Sequence, residues 1–340
     1  MRAQVFYGPG DLRCEDVAVP EPGPGEVLIR IEAALTCGTD VKTFRRGHPV
    51  MLPKLPTVFG HELAGTIVAV GAGVEGFRVG ERAVAANSAP CGVCPYCAQG
   101  RENLCDDLLF VNGAYAEYIA LPPRLVARNL IALPEGAPAV RVAFAEPVAC
   151  CLHAIDVAVV EPGEAVAIFG HGPLGLLLGL LARAAGARVV LAGKAGPRLT
   201  VAAGLGFAAC LDMTRTTDAI GLVRAAAGGG VACAIDATGR PETWEQAVAV
   251  TDKGGRVVFF GGCAPGTTIR LDTRRVHYEE LRLAGVFHHT PALIRRAVAL
   301  LADGRLDPTP LVTHAMGLAD VPEALALMAG GQALKVLITP

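Results

Sequence analysis

The apolar positions of this chain fall into short runs, and the rhythm of those runs changes near residue 163. Before it, runs such as EVLIRIEAAL and AGTIVAV are separated by PEPGPGE and GAGVEGFRVGE, the texture of short strands joined by Gly/Pro turns. From there on, EAVAIFG is followed by HGPLGLLLGLLARAAGA, helical in length and composition, and then by RVVLAG. The alternation continues through a helix-like GPRLTVAAGLG, an apolar VACAIDATG, a helix-like PETWEQAVAVTDKGG and a strand-like RVVFFGG. Short apolar runs alternating with helices predict a parallel sheet covered on both faces. Two more helical stretches, PALIRRAVALLADG and DVPEALALMAG, precede a closing strand-like KVLIT. No fixed-period repeat and no low-complexity linker interrupts the pattern.

A chain of 340 residues is long enough for two domains. Its net charge of −2 and pI of about 6.5 give no electrostatic case for nucleic acid or an anionic membrane surface. The mean hydropathy of +0.44 is high, but the most apolar run, PLGLLLGLLA from Pro173, stops at Arg183. That is short of the roughly 18–20 apolar residues of a membrane helix, so a buried helix is predicted. MRAQVFYGPGDLRCEDV lacks a charged segment followed by an apolar one, so no export signal is read and a cytoplasmic location is expected. In that compartment the eleven cysteines read as thiols or metal ligands rather than disulfides.

Four of them stand together in CGVCPYCAQGRENLC, as Cys91, Cys94, Cys97 and Cys105. The bacterial iron–sulfur run ends in a three-residue gap and Cys-Pro; here the last gap is longer and Asp106 follows. Four thiolates on one zinc make a closed tetrahedral site with no position for a substrate, so this segment reads as a clasp on a lobe with little core of its own. GHGPLG, with Gly170, Gly172 and Gly175, lies between a strand-like and a helix-like run. That is the context in which glycines let a backbone approach the pyrophosphate of a dinucleotide. At the end of the next strand, where an acid would hold a ribose 2′-hydroxyl, stands Gly193, followed by Lys194 and Arg198. A missing carboxylate with neighbouring cations favours NADP over NAD, unless the two cations are merely solvated.

Further candidates are dispersed. TCGTD offers Cys37 with Thr39 and Asp40, FGHELAGTIVAVGAGV offers His61 and Glu62, and FAEPVACCLHAI offers Glu146. Each alone has an ordinary structural reading; together they suit an open zinc site. His153, the pair His288 and His289, and the thiols Cys150 and Cys151 read as packing or boundary residues rather than ligands.

With these motifs in order, the chain resembles the zinc-dependent medium-chain dehydrogenase/reductase family of alcohol, polyol, sugar and threonine dehydrogenases. Gly60-His61-Glu62, then Gly65, Gly71 and Val74, follow that family's zinc signature. The resemblance implies an α/β architecture: a GroES-like β-rich catalytic domain over 1–150, with 287–340 returning to it, and a Rossmann doubly wound domain over 151–286. It implies a catalytic zinc on Cys37, His61 and a carboxylate, Glu62 or Glu146, with Asp40 orienting His61, and a structural zinc on the four clustered cysteines. The implied cofactor set is Thr39, Gly170, Gly172, Pro173, Leu174, Gly175, Gly193, Lys194, Arg198, Thr238, Gly261 and Lys335, with Lys335 near the pyrophosphate. Thr39 would pass the substrate proton toward the nicotinamide ribose; Lys42 stands where relatives often carry the next relay histidine. The implied reaction is oxidation of a secondary alcohol, a polyol or sugar ahead of L-threonine or a simple alcohol, by hydride transfer to NADP or NAD. A homodimer or homotetramer without nucleic-acid or membrane partners is expected. A non-catalytic relative or a metal-free quinone or enone reductase would lack this ligand set.

Overall fold

The computed structural model describes residues 1–340 as two compact units, Met1–Ala149 with His289–Pro340, and Cys150–His288. No helix is long and apolar enough to cross a membrane. All eleven cysteines are free thiols.

The first unit is built on a seven-stranded sheet whose central strand is Val27–Leu35. Glu62–Val70 pairs with one edge of it, and Lys335–Thr339 and Tyr118–Leu121 share the other. The strand Val312–Gly317 lies parallel to Lys335–Thr339, so the C-terminal segment completes the sheet of the N-terminal one. The apolar face of EVLIRIEAAL and AGTIVAV buries Val27, Ile29, Ile31 and Ile67 in one cluster with Leu63, Phe6, Phe59, Tyr115 and Leu325. Residues 91–110 add nothing to that cluster.

The second unit carries a six-stranded sheet in which every pairing is parallel. Counted within the unit, the strand order is 3-2-1-4-5-6, the dinucleotide-binding doubly wound order. Strands Ala165–Phe169, Arg188–Gly193 and Val231–Asp236 are almost wholly buried, which explains why each reads as a continuous apolar run. Helix Pro173–Ala184 follows the glycine turn and buries eight of its residues. One sequence expectation is corrected: DKGG is not the tail of a helix. Helix Pro241–Val250 ends at Val250, and Thr251–Phe259 is strand, with Gly254 at φ +72° next to a register shift.

Candidate active site and metal centres

Sheet register assembles the first candidate site. Leu35, at the end of the central strand, faces Glu62 on one side and Leu337 on the other. Continuing the second register puts Lys335 beside Cys37, and the junction is closed by Val336 N–H donating to the Thr36 hydroxyl at 2.8 Å. Cys37 then caps helix Gly38–Arg46: its N–H donates to Asp40 Oδ2 at 2.8 Å, and Thr39 N–H donates to its sulfur at 3.4 Å. His61 is delivered by Gly60, whose φ of +86° suits glycine. A Cβ there would also sit 2.7 Å from the Tyr115 ring.

Asp40 is the hub. Its Oδ2 accepts from the Tyr115 hydroxyl at 2.5 Å as well as from Cys37 N–H, and its Oδ1 lies 2.9 Å from His61 Nδ1. The His61 approach is off the line of an ideal hydrogen bond, so it is a charge contact first. Asp40, His61 and Tyr115 are all buried. Burial opposes the charge on Asp40, but His61, Tyr115 and the Cys37 N–H outweigh it and hold the carboxyl below its ordinary value. Burial likewise opposes a protonated His61, and Asp40 overrides it, holding the imidazole well above its usual range. A proton kept on Nδ1 by a carboxylate leaves Nε2 as the atom to offer a metal.

Donor atoms of Cys37, His61 and Glu62 all lie within 4.8 Å of one another, a set suited to zinc in both softness and spacing. Both carboxylate oxygens of Glu62 accept from Lys335 Nζ, and the pair is fully buried. This corrects the expectation for Lys335: its charge is committed to Glu62 in the interior of the first unit, not presented to a cofactor phosphate. Burial pushes Glu62 up and Glu146 adds to it, while Lys335 and His61 pull it back. Glu146, at the start of helix Ala145–Ala158, is buried and has a carboxylate oxygen within 4.8 Å of a His289 ring nitrogen. His289 Nε2 in turn lies 3.2 Å from Asn87 Oδ1. Thr39 is half-buried and Lys42 is exposed.

The four clustered cysteines also converge, all sulfurs within 4.8 Å. Backbone N–H groups aim at them: Val93 and Cys94 donate to Cys91 Sγ at 3.4 and 3.3 Å, and Cys91 donates to Cys105 Sγ at 3.2 Å. N–H donors from Cys97 and Asp106 pull Cys94 down to about 6, while burial pushes the Cys97 and Cys105 thiols up; a metal needs all four as thiolates, so its binding would release protons. Val93 is 85% exposed and helix Pro95–Ala98 buries no residue, so the lobe has no apolar core to hold it.

In the second unit, Gly170 and Gly172 lie in the turn between strand Ala165–Phe169 and helix Pro173–Ala184, and Pro173, Leu174 and Gly175 are the first residues of that helix. A Cβ at Gly175 would sit 2.0 Å from the Gly170 carbonyl, while one at Gly172 would meet nothing within 4 Å. The turn is therefore packed against its own helix and open on its outer side, as an approaching pyrophosphate requires. Thr238 and Gly261 follow the ends of the two adjoining strands. Buried Asp236 ties them together, accepting from Thr238 N–H and hydroxyl at 3.1 and 2.7 Å and from Trp244 Nε1 at 3.1 Å; the same indole N–H donates to the Gly261 carbonyl. His153 and Cys151 are spent on packing contacts, with the His288 carbonyl and the Leu174 carbonyl.

Two family models match the chain: the alcohol dehydrogenase GroES-like domain over residues 23–135 and the zinc-binding dehydrogenase domain over 173–303. An L-threonine 3-dehydrogenase of Deinococcus deserti is 32% identical, with 95% of this chain and 94% of that protein covered. A sorbitol dehydrogenase of Bacillus subtilis is 30% identical over 100% of this chain and 97% of that protein. The chain belongs to the zinc-dependent medium-chain dehydrogenase family. A crystal structure of a zinc-binding dehydrogenase from Sinorhizobium meliloti, bound to NADP, superposes with a TM-score of 0.90 at 32% identity, covering 100% of this chain and 99% of that one. The molecule is thus a zinc-dependent oxidoreductase with a GroES-like part and a Rossmann-type part.

Three residues of this dehydrogenase were not singled out from its sequence. Tyr115 anchors Asp40, Asp236 anchors Thr238 and Trp244, and His171 packs on Gly193. Only for Tyr115 was there a signal: an aromatic residue in the small-residue run GAYA must fill a space its neighbours leave.

Proposed function

We propose that this dehydrogenase oxidises a secondary alcohol of a polyol or sugar to the ketone, with NADP as the hydride acceptor. Zinc would be held by Cys37, His61 and a carboxylate, and a second zinc by Cys91, Cys94, Cys97 and Cys105. The observation that carries this reading is the convergence of Cys37, His61 and Glu62 within 4.8 Å, with Asp40 behind the histidine. Bound zinc supplies Lewis acidity toward an alcohol oxygen, and bound nicotinamide supplies a two-electron acceptor.

The chain's own residues do the rest. Asp40 keeps His61 in one tautomer and orientation, and the Cys37 N–H and Tyr115 hydroxyl keep Asp40 in place. Lys335 balances the charge of Glu62, and the two side chains are buried together. Glu62 and Glu146 are both offered as the carboxylate ligand; Glu62 stands nearer the Cys37–His61 pair but is shared with Lys335. Thr39, half-buried beside Cys37, is the group to receive the substrate proton. We assign catalysis to the first unit and cofactor binding to the second. A cytoplasmic homo-oligomer is part of the same reading.

L-threonine is the second reading, favoured by a relative of that name at 32% identity. The test is a panel of polyols, sugars, simple secondary alcohols and L-threonine, each with NADP and NAD. The proposal expects the highest kcat/KM for a polyol or sugar with NADP. A clear lead for L-threonine replaces the substrate assignment, and a clear lead for NAD replaces the cofactor assignment.

A further inference from the structure

Gly193 ends strand Arg188–Gly193, at the place where a ribose-binding acid would stand in this fold. It is buried, and what buries it is the His171 ring, from the glycine turn more than twenty positions earlier. A Cβ built on Gly193 would lie 2.4 Å from His171 Cγ, 2.7 Å from Nδ1 and 2.8 Å from Cδ2. These are distances real Cβ atoms do not adopt, so any side chain at 193 must first displace the imidazole. The backbone fixes this meeting. Strands Ala165–Phe169 and Arg188–Gly193 are paired through Phe169 and Ala192, and Gly170 N–H donates to the Ala192 carbonyl at 2.8 Å. His171, next along the turn, thus folds over the end of its neighbour strand.

Two cationic side chains, Lys194 and Arg198, lie close enough to the ring to act on it. His171 is half-buried and bonded to the Lys194 backbone, Lys194 is exposed, and Arg198 is half-buried on the first turn of helix Pro197–Ala203. The one acid at this edge is Asp212, paired in register with Gly193. Its carboxylate is already occupied. Oδ1 accepts from Ala195 N–H at 3.0 Å and from Thr214 N–H and hydroxyl at 3.0 and 2.6 Å, and Oδ2 lies 3.1 Å from Arg215 Nε. Its oxygens are thus engaged by these donors rather than turned to a ribose hydroxyl, and Arg215 offsets part of its charge.

We propose that His171 is a specificity-determining residue for the cofactor: it occupies the room an acid at position 193 would need and, with Lys194 and Arg198, forms the seat of a 2′-phosphate on the adenosine ribose. This rests on the reading that the second unit binds a nicotinamide dinucleotide and deepens it. It makes specificity a property of a pair, His171 and Gly193, rather than of position 193 alone. A Gly193→Asp change by itself would not make an NAD site, because the new carboxylate and the imidazole compete for one volume.

The test is calorimetric titration of the zinc-loaded enzyme with two fragments, adenosine 2′,5′-bisphosphate and 5′-AMP, which differ only in the 2′-phosphate. Wild type should bind the bisphosphate at least about tenfold more tightly, the scale of one charge-assisted hydrogen bond. His171→Ala should remove most of that preference while leaving 5′-AMP within about twofold, and His171→Gln, which keeps a donor, should fall between. Gly193→Asp alone should weaken both fragments. His171→Ala combined with Gly193→Asp should recover 5′-AMP binding and reverse the preference, an interaction that separate sites would not show. Equal loss of both fragments in His171→Ala and His171→Gln, or a full reversal in Gly193→Asp alone, overturns the proposal. Wild type binding both fragments equally overturns it while leaving a dinucleotide site intact; wild type binding neither overturns the cofactor reading with it.

Discussion

Tyr115→Phe removes one oxygen atom from the interior of the first unit and is the sharpest probe of the Asp40 hub. The ring keeps its place against Gly60 and its edge-on contact with Phe59, whose centroid is 5.9 Å away. What changes is the carboxylate. Asp40 now has donors at 2.5 Å from Tyr115 and 2.8 Å from Cys37 N–H, and the His61 contact at 2.9 Å. Losing a hydrogen bond to a buried charge costs about 1.5–3 kcal/mol, or roughly 3–10 °C in thermal midpoint for a unit of this size. The freed carboxylate also holds His61 less firmly, so zinc affinity should fall roughly tenfold, at the lower end for residues that orient metal ligands. The assay is thermal unfolding of the zinc-loaded protein together with zinc competition against a chromophoric chelator. An unchanged midpoint with zinc affinity within about twofold of wild type would refute the hub.

Other perturbations have equally definite outcomes. Lys335→Met strands the Glu62 charge in the interior and should cost about 3–5 kcal/mol, whereas adding Glu62→Gln to it should recover much of the loss; denaturant unfolding measures both. Cys97→Ser should release one zinc and lower the thermal midpoint, while kcat per folded molecule stays near wild type; normal stability with abolished turnover would contradict the clasp. In the second unit, Glu164 lies below its ordinary value: burial pushes it up, but the Arg256 guanidinium at 2.5 Å outweighs that. A depressed carboxyl stabilises above its unfolded value and loses that contribution as pH falls through the lower folded one. The stability gap between wild type and Glu164→Gln should therefore be full at neutral pH and close on acidification below about pH 4.5.

What could be read from the sequence was local. Ala165–Phe169, Arg188–Gly193 and Val231–Asp236 announced themselves because a strand buried on both faces needs an unbroken apolar run. Ala209–Asp212 and Arg282–Gly285 did not, because these outer strands of the same sheet are half-exposed. Cys37, Thr39 and Asp40 are neighbours on one helix turn, and His61 adjoins Glu62, so short windows revealed them. Lys335 could not be placed that way: its partnership with Glu62 follows from which strand lies beside Val27–Leu35, a consequence of a chain that returns to its first sheet at the end. The Tyr115 contact with Asp40 and the His171 contact with Gly193 likewise depend on packing between segments that share no pattern. Motif reading therefore found the metal-ligand candidates and Asp40 behind His61, and missed Tyr115 and Lys335 as the groups that hold Asp40 and Glu62.

The central claim is that chemistry lies with Cys37, His61 and a glutamate, while the conspicuous cysteine cluster is structural. Zinc content, measured on wild type and on Cys37→Ala alongside hydride transfer to NADP, tests it directly. The account expects two zinc ions per chain in the wild type, and one in a folded but inactive Cys37→Ala. A wild type with a single zinc held by the cysteine cluster, or a Cys37→Ala enzyme that keeps both zinc ions and its turnover, would contradict it.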